Sequence, residues 1–592
     1  MRGFVSLAWT PACEVTGRRL LQHISASTGW RLAFDRVEAH VLVPPDGAMP
    51  IWPLAEGRGV VVGDLFRRGQ VEGLDPAEVA GIANVSVLEV ARILMRGHWG
   101  RYVALLRDHD GAPAMFRDPS GALDCVTWAI DGMRICASHL PPGLLEAAGP
   151  SLSLDWDRIA LLLSDPGRVG GALALGGLEP VAPGALWRPE GVEQLWSPAT
   201  FAARPVRSQD EAREGLVRAI DACVGAYATR GAPILAEISG GLDSAIVAAA
   251  VRRVPQAKVV AWLNYFAEDP WGDERAYALA IAERLDLSLI EARVSDLAVD
   301  PLQFGPAVES HRPCFYGLDA GYDLDVSARG QAAGARMMLT GAGGDILFYQ
   351  QPTVMVAVDH VRAHGLAAFA SPVPLAVARW TKSSVWSVWR QMASRRSDVR
   401  ALTAMEPAAF IVAPPTLPAS DHPWLSDLAT LPPAKQAQVL NLTAAAMYGG
   451  DCRHARALNC VHPLLSQPVI EQCLSIPADL LTQGFRDRAL ARTAFADRLP
   501  ALVISRRSKG DLTAMYGRRL AAGLKALRPH LLDGLLVERG LIDRSVLDAM
   551  LDPDQLVWQG GYGHILYAAF LEAWVRNWQS RLANLTLRWC AH

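Results

Sequence analysis

The segment Ile238-Ser239-Gly240-Gly241-Leu242-Asp243-Ser244 constrains this chain more than any other. It follows an apolar strand pattern at residues 233–238 and opens a helical one at 243–254. Glycines let the backbone approach a ligand closely, and the free N–H groups of the turn and of the helix start face outward. Such a nest accepts a polyphosphate, assisted by the positive end of the helix dipole. The backbone from Ser239 to Ser244 forms the cradle, Leu242 included, and Ser239 and Ser244 add hydroxyl donors. Bare phosphate would repel Asp243, so its chemistry points to a Mg²⁺ ion bridging the phosphates. The Gly-Lys-Ser/Thr ending of kinase and GTPase phosphate loops is missing. The segment reads instead as the pyrophosphate loop of enzymes that cleave ATP between its α- and β-phosphates.

What surrounds the segment is consistent with that reading. Helical patterning at 209–228 and 274–285 alternates with strand patterning at 258–265, 287–294 and 336–340. That alternation predicts parallel βαβ units in a doubly wound sheet. The last strand runs into Gly341-Ala342-Gly343-Gly344-Asp345. Ligands of open α/β sheets sit at the carboxyl ends of the strands, so Asp345 is a second candidate Mg²⁺ ligand, and Gly341, Gly343 and Gly344 join the nucleotide-binding set. Asp273-Glu274 at a helix start reads equally as ordinary helix-terminal charge or as a contact at the nucleotide site. Arg506-Arg507-Ser508-Lys509-Gly510-Asp511 reads by itself as a solvated basic loop, and alternatively Lys509, beside a glycine, reaches a leaving pyrophosphate or an oxyanion. The histidines show no HExxH or HxH spacing and there is no GxSxG elbow, which leaves zinc-hydrolase and α/β-hydrolase chemistry unsupported.

The rest of the chain sets the frame. Its 592 residues predict two or three domains. Residues 60–65, 102–106 and 133–137 read as strands and 86–96 as an amphipathic helix, an α+β pattern rich in antiparallel sheet. A boundary is expected near residues 195–207, followed by the βαβ units and, after 350, by mostly helical sequence. The formal charge of −3 argues against a nucleic-acid coat. Nine scattered cysteines without a CxxC pair fit reduced thiols. The longest mostly apolar run, Leu366 to Ala378, spans 13 residues and holds two prolines. A membrane span needs about 20 residues, so a soluble, cytoplasmic protein is expected, with neither nucleic acid nor membrane as partner. The Trp380/Trp386/Trp389 group reads as core or as the wall of a substrate channel.

Taken together, these motifs resemble the asparagine synthetase superfamily over nearly the whole length. Ser239–Ser244, Asp273-Glu274 and Thr340–Asp345 stand in the family's order and spacing. Trp99-Gly100-Arg101-Tyr102, Phe116-Arg117-Asp118-Pro119-Ser120-Gly121 and Leu178-Glu179-Pro180-Val181-Ala182-Pro183-Gly184 resemble its glutaminase domain. The resemblance implies an α+β glutaminase-like domain at 1–200. At 208–592 it implies an α/β ATP-pyrophosphatase domain with a doubly wound parallel sheet and a large helical C-terminal part. A glutaminase of this class needs cysteine at position 2; Arg2 stands there and Cys13 cannot replace it, so the first domain is expected to be degenerate. Asparagine synthetases carry glutamate, and β-lactam synthetases tyrosine, where this chain has Ala342, which is neither acid nor base.

The lasso peptide cyclases, or macrolactam synthetases, are the branch that this chain resembles in Leu339–Asp345, in His462-Pro463-Leu464-Leu465-Ser466-Gln467-Pro468 and in Arg507–Asp511. That resemblance implies adenylation of an Asp or Glu side chain in a ribosomally made core peptide. The core's N-terminal amine then closes the ring, releasing AMP and pyrophosphate. It implies ATP and Mg²⁺, with Asp243, Asp345 and Lys509 in catalytic roles, and a leader peptidase and a precursor-recognition protein as partners. An ammonia-dependent small-molecule amide ligase and a non-catalytic ATP-binding scaffold are the rival expectations.

Overall fold

The computed structural model describes residues 2–589 except 46–48, 56, 72, 83–84, 207, 270–271, 395–406, 413–421, 508–509 and 559–560. Up to Gln194 the chain builds two six-stranded antiparallel sheets. One runs from Glu179–Pro180 through Val5–Ala8 to Arg31–Arg36, the other from Gly191–Gln194 through His98–Arg107 to Ile51–Pro53. Strand alternation explains the layering. Val60 and Val62 of Gly59–Arg67 point at the facing sheet with Val103 and Met115 of their own sheet, and there they meet Phe4 and Val41. Val61 and Leu65 point the other way, under helix Val87–Gly97. The far face of the first sheet is covered by helices Glu14–Thr28 and Pro142–Ala148, which pack on Val5, Leu7 and Ile135. The strands expected at 60–65, 102–106 and 133–137 and the helix expected at 86–96 all form.

Helix Gln209–Ala228, N-capped by the Ser208 hydroxyl, leads into a five-stranded parallel sheet. Its order is Leu289–Arg293, Val259–Phe266, Ile234–Glu237, Met337–Leu339, Asn459–Val461. The first strand in the chain is thus central and the order reverses beside it, the doubly wound arrangement expected. Ala236 lies level with Leu339 and with Trp262, so the loops after those strands emerge at one height. Ile234, Ala236 and Ile238 bury into a large core with the helices on one face; Leu235 buries with Leu263, Val326 and Met338 on the other. The short edge strand Asn459–Val461 lies in a stretch the sequence assigns to helix.

The C-terminal part is helical. Its 28-residue last helix, Tyr562–Trp589, returns to the core shared with the first antiparallel sheet. There Trp574 and Trp578 are fully buried and donate their indole N–H groups to the carbonyl of Ser310, at 2.8 and 3.0 Å. Among the described residues no single helix is long and apolar enough to cross a membrane. Met355–Ala370 and Val373–Trp380 pass that test only as a pair, bent by 108°.

Candidate active site at the switch point of the parallel sheet

Two loops meet where the strand order reverses. The first, Ser239–Ser244, is braced by its own hydroxyls. Ser239 Oγ and Ser244 Oγ lie 3.1 Å apart, Ser239 Oγ accepts from the Gly241 N–H, and Ser244 Oγ accepts from the Ser239 N–H. The hydroxyls expected as ligand donors therefore also hold the turn. Gly240 has a φ of +80°, and a Cβ there would lie 2.9 Å from the carbonyl oxygen of Glu274. Gly241 caps helix Leu242–Val251 without a side chain, which leaves the N–H groups of its first turn available.

The second loop, Thr340–Asp345, is set by His462. The His462 Nε2–H donates to the Tyr448 carbonyl at 3.0 Å, so Nδ1 is left to accept from Thr340 Oγ1 at 2.7 Å. Burial lowers this imidazole to about 4 and keeps it neutral, as that tautomer requires. Thr340 Oγ1 in turn accepts from the Ala342 N–H. The two loops then interlock. A Cβ on Gly341 would lie 2.4 Å from the Ser244 nitrogen, and one on Gly344 would lie 2.6 Å from Cγ of Asp243. Asp243 and Asp345 line one cavity, and after burial they are the main electrostatic causes raising the Tyr448 phenol above its usual range.

Three further segments close the site. Arg488, at a φ of +52°, donates to Asp243 Oδ2 at 3.1 Å and to Asp487. Arg506 donates to the Gly240 carbonyl at 3.1 Å and to Glu274, and lies 4.0 Å from the Tyr277 ring centroid. Glu274 also accepts from the Gly510 N–H at 2.6 Å. Glu274 thus clasps the basic loop to the glycine turn, whereas Asp273 turns away to Arg275. Lys509 lies outside the described residues. The cavity in front of these loops measures about 800 Å³. Its wall is tyrosine: Tyr265, Tyr316, Tyr322, Tyr448, Tyr516, Tyr562 and Tyr567. Trp380, Trp386 and Trp389 do not line it; Trp386 is exposed and Trp389 packs on a small helical core. A smaller cavity of about 230 Å³ lies towards the antiparallel sheets, with Arg2, Asp64 and Arg101 in its wall, and shares Tyr316 and Tyr448 with the larger one.

Residues 215–586, which hold every strand of the parallel sheet and both loops, match the asparagine synthase family. The chain belongs to that family. No curated protein matches it. Asparagine synthase family membership brings ATP-dependent amide-ligase chemistry, and the match begins after the antiparallel sheets. In this family member the carboxylates expected from sequence, Asp243 and Asp345, do converge, as do Ser239, Gly240, Gly241, Leu242, Ser244, Gly341 and Gly344, whereas Gly343 lies against Leu465. Arg488, Glu274 as a clasp, His462 as a strut and the tyrosine wall became visible only in three dimensions. The capping of 453–457 against Asp323 belongs to the same group: the buried Asp323 carboxylate accepts from the His454 N–H and ring.

Proposed function

We propose that this protein is a lasso peptide macrolactam synthetase. It activates an Asp or Glu side chain of a leader-free core peptide with ATP and joins it to the peptide's own N-terminal amine. The observation that carries this reading is Ala342 facing an 800 Å³ cavity walled by seven tyrosines. That volume is at the upper end of the ~300–1,000 Å³ typical of ligand clefts. Tyrosine supplies an apolar face and a polar rim, which suits a folded peptide better than a free amino acid.

The residues fit ATP with a hard cation. Gly344 has no Cβ to displace the Asp243 carboxylate, and Asp345 offers a second oxygen donor in the same cleft. Bound there, Mg²⁺ would neutralise charge on the phosphates. The helix start at Gly241–Ser244 receives the phosphates, and Arg488 and Lys509 compensate charge on the leaving pyrophosphate. The tyrosine wall holds the pre-folded peptide so that amine and carbonyl meet, which is a task of orientation. The amine must first be freed, so a leader peptidase and a precursor-recognition protein are the partners proposed. The antiparallel unit at 1–200 is proposed as a degenerate glutaminase-like domain that serves as scaffold.

The test is mass spectrometry of synthetic peptides, each with a free N-terminal amine and one internal Asp or Glu, after incubation with ATP and Mg²⁺. A product lighter by one water, with equimolar AMP, is expected. Asp243→Ala should reduce both by on the order of 10²–10³ or more, the scale of losing one electrostatic group at developing charge. AMP formed only with aspartate and ammonia would favour a small-molecule amide ligase. No nucleotide turnover with any acceptor would favour a scaffold.

A further inference from the structure

Glu237 ends the central strand, two residues before Ser239. Alternation puts it on the face of Leu235, which packs with Leu263 and Val326, and its carboxyl lines the large cavity. The Tyr322 hydroxyl donates to it at 3.3 Å. The titratable groups that face it come from four elements: Tyr322 from helix Ala320–Ala332, Tyr265 from the neighbouring strand, Tyr316 from the turn Phe315–Gly317, and His454 from helix Arg453–Ala457. The His454 ring is already bonded to Asp323 at 2.6 Å.

Four carboxylates on this wall have a cation at ion-pair distance, and Asp345, a candidate cation ligand, has none among the described residues. Asp243 has Arg488, Glu274 has Arg506, Asp319 has Arg519 and Asp325 has Arg329. Among the described residues Glu237 has no cation within ion-pair distance. A buried carboxylate is costly without one, and burial pushes its pKa up. Ala342 leaves the second loop without an acid or base. The reaction nevertheless brings a cation to this cavity, the protonated acceptor amine.

We propose that Glu237 is the group that receives that amine and takes its proton. The assignment rests on the amide-ligase reading and supplies the base which that reading lacks. The ammonium passes one proton to Glu237, and its freed lone pair bonds to the acyl carbon. The bond from that carbon to the AMP phosphate oxygen breaks, with the electron pair staying on oxygen. The second proton leaves the nitrogen for the phosphate and then water, and Glu237 returns its own to solvent as the product departs.

Hydroxylamine separates the two half-reactions, because it is uncharged at neutral pH and traps the activated acyl group as a hydroxamate without needing a base. Glu237→Gln, which keeps the shape, should form hydroxamate within about threefold of wild type, while ring closure falls by about 10²–10⁴, the range of a lost general base. Wild-type ring closure should decline towards acid, and in Glu237→Gln that limb should give way to one set by the free amine's own pKa, about 7.7–8. Tyr322→Phe removes a bond that stabilises the carboxylate, so the limb should move to higher pH. Ring closure near wild type in Glu237→Gln overturns the assignment, and so does a parallel loss of hydroxamate. Wild type that fails with every peptide but makes aspartyl hydroxamate overturns the peptide reading alone. Glu237 is then judged by the same split with aspartate and ammonia. No turnover with any acid overturns both.

Discussion

Gly341→Ala is expected to abolish AMP formation and to lower the melting temperature together. The added Cβ would lie 2.4 Å from the Ser244 nitrogen and 2.7 Å from both the Asp243 carbonyl carbon and the Ser244 Cα. All three are backbone atoms in the first turn of helix Leu242–Val251, so no rotamer change relieves the contact. Either the Thr340–Asp345 loop lifts away or the helix start shifts. Overpacking of this kind costs about 1–3 kcal/mol. A displacement of about 1 Å at a reacting centre is worth about 10² in rate, and here both candidate cation ligands move relative to each other. Gly344→Ala is the informative companion. Its Cβ meets the Asp243 side chain, with Cγ at 2.6 Å, Cβ at 2.7 Å and Oδ1 at 2.8 Å; rotation moves Cγ and Oδ1 but leaves the Cβ contact in place. Gly344→Ala should therefore lose AMP formation and lower the melting temperature by less than Gly341→Ala, because one of its three close contacts is fixed where all three of the other's are. Calorimetry beside an AMP assay reads both, and Gly341→Ala with wild-type turnover would show that the loops need not interlock.

How far the site was legible in the sequence depends on how local each determinant is. The strand, glycine turn and helix around Ser239–Ser244 are written in contiguous residues, and helix Gln209–Ala228 and the four longer-range strands of the βαβ units follow from periodicity. The fifth strand, Asn459–Val461, is three residues long and begins on a polar one. Its existence is decided by pairing with Met337–Leu339, over a hundred residues away, and by nothing in its own pattern. The same distance in sequence hides Arg488, 245 residues from the Asp243 it binds. His462 carried only a family likeness until its two ring bonds made it the strut of the second loop. Of the two readings of the Trp380/Trp386/Trp389 group, core holds for Trp380 and Trp389, and the cavity wall falls to tyrosine for a physical reason. Trp574 and Trp578 have one N–H each, which a single carbonyl satisfies, so they bury completely, whereas tyrosines keep a hydroxyl for the wet side of a cleft. The Asp273-Glu274 pair offered two readings, and each residue took one.

Asp64→Asn should destabilise the protein by about 3 kcal/mol and should reduce AMP formation although Asp64 is remote from the two loops. Its carboxylate is 3% exposed and bonded to Arg2 at 3.3 Å, to Arg101 and to Arg230. Burial opposes its charge, but the three guanidinium groups outweigh it and hold the carboxyl well below the usual range. Arg101 continues across the interface to the Cys460 carbonyl at 2.6 Å and to the Asn459 side chain at 2.8 Å. The node thus ties the antiparallel sheets to the edge strand that leads into His462, the strut of the Thr340–Asp345 loop. Breaking a buried pair costs about 3–5 kcal/mol; the lower value applies because Arg2 and Arg230 are partly exposed and solvent screens their repulsion. The pH dependence separates charge from shape. A carboxylate with a depressed folded pKa adds stability that is complete above its unfolded value, about 3.9, and is lost as pH falls through the folded one. The difference in unfolding free energy between wild type and Asp64→Asn should be flat above about pH 4.5 and should shrink steadily below about pH 4. Urea melts across that range measure it. A gap unchanged at about pH 2.5 would assign the node to packing, and a gap that has clearly narrowed there would assign it to the charge holding both halves of the molecule in register.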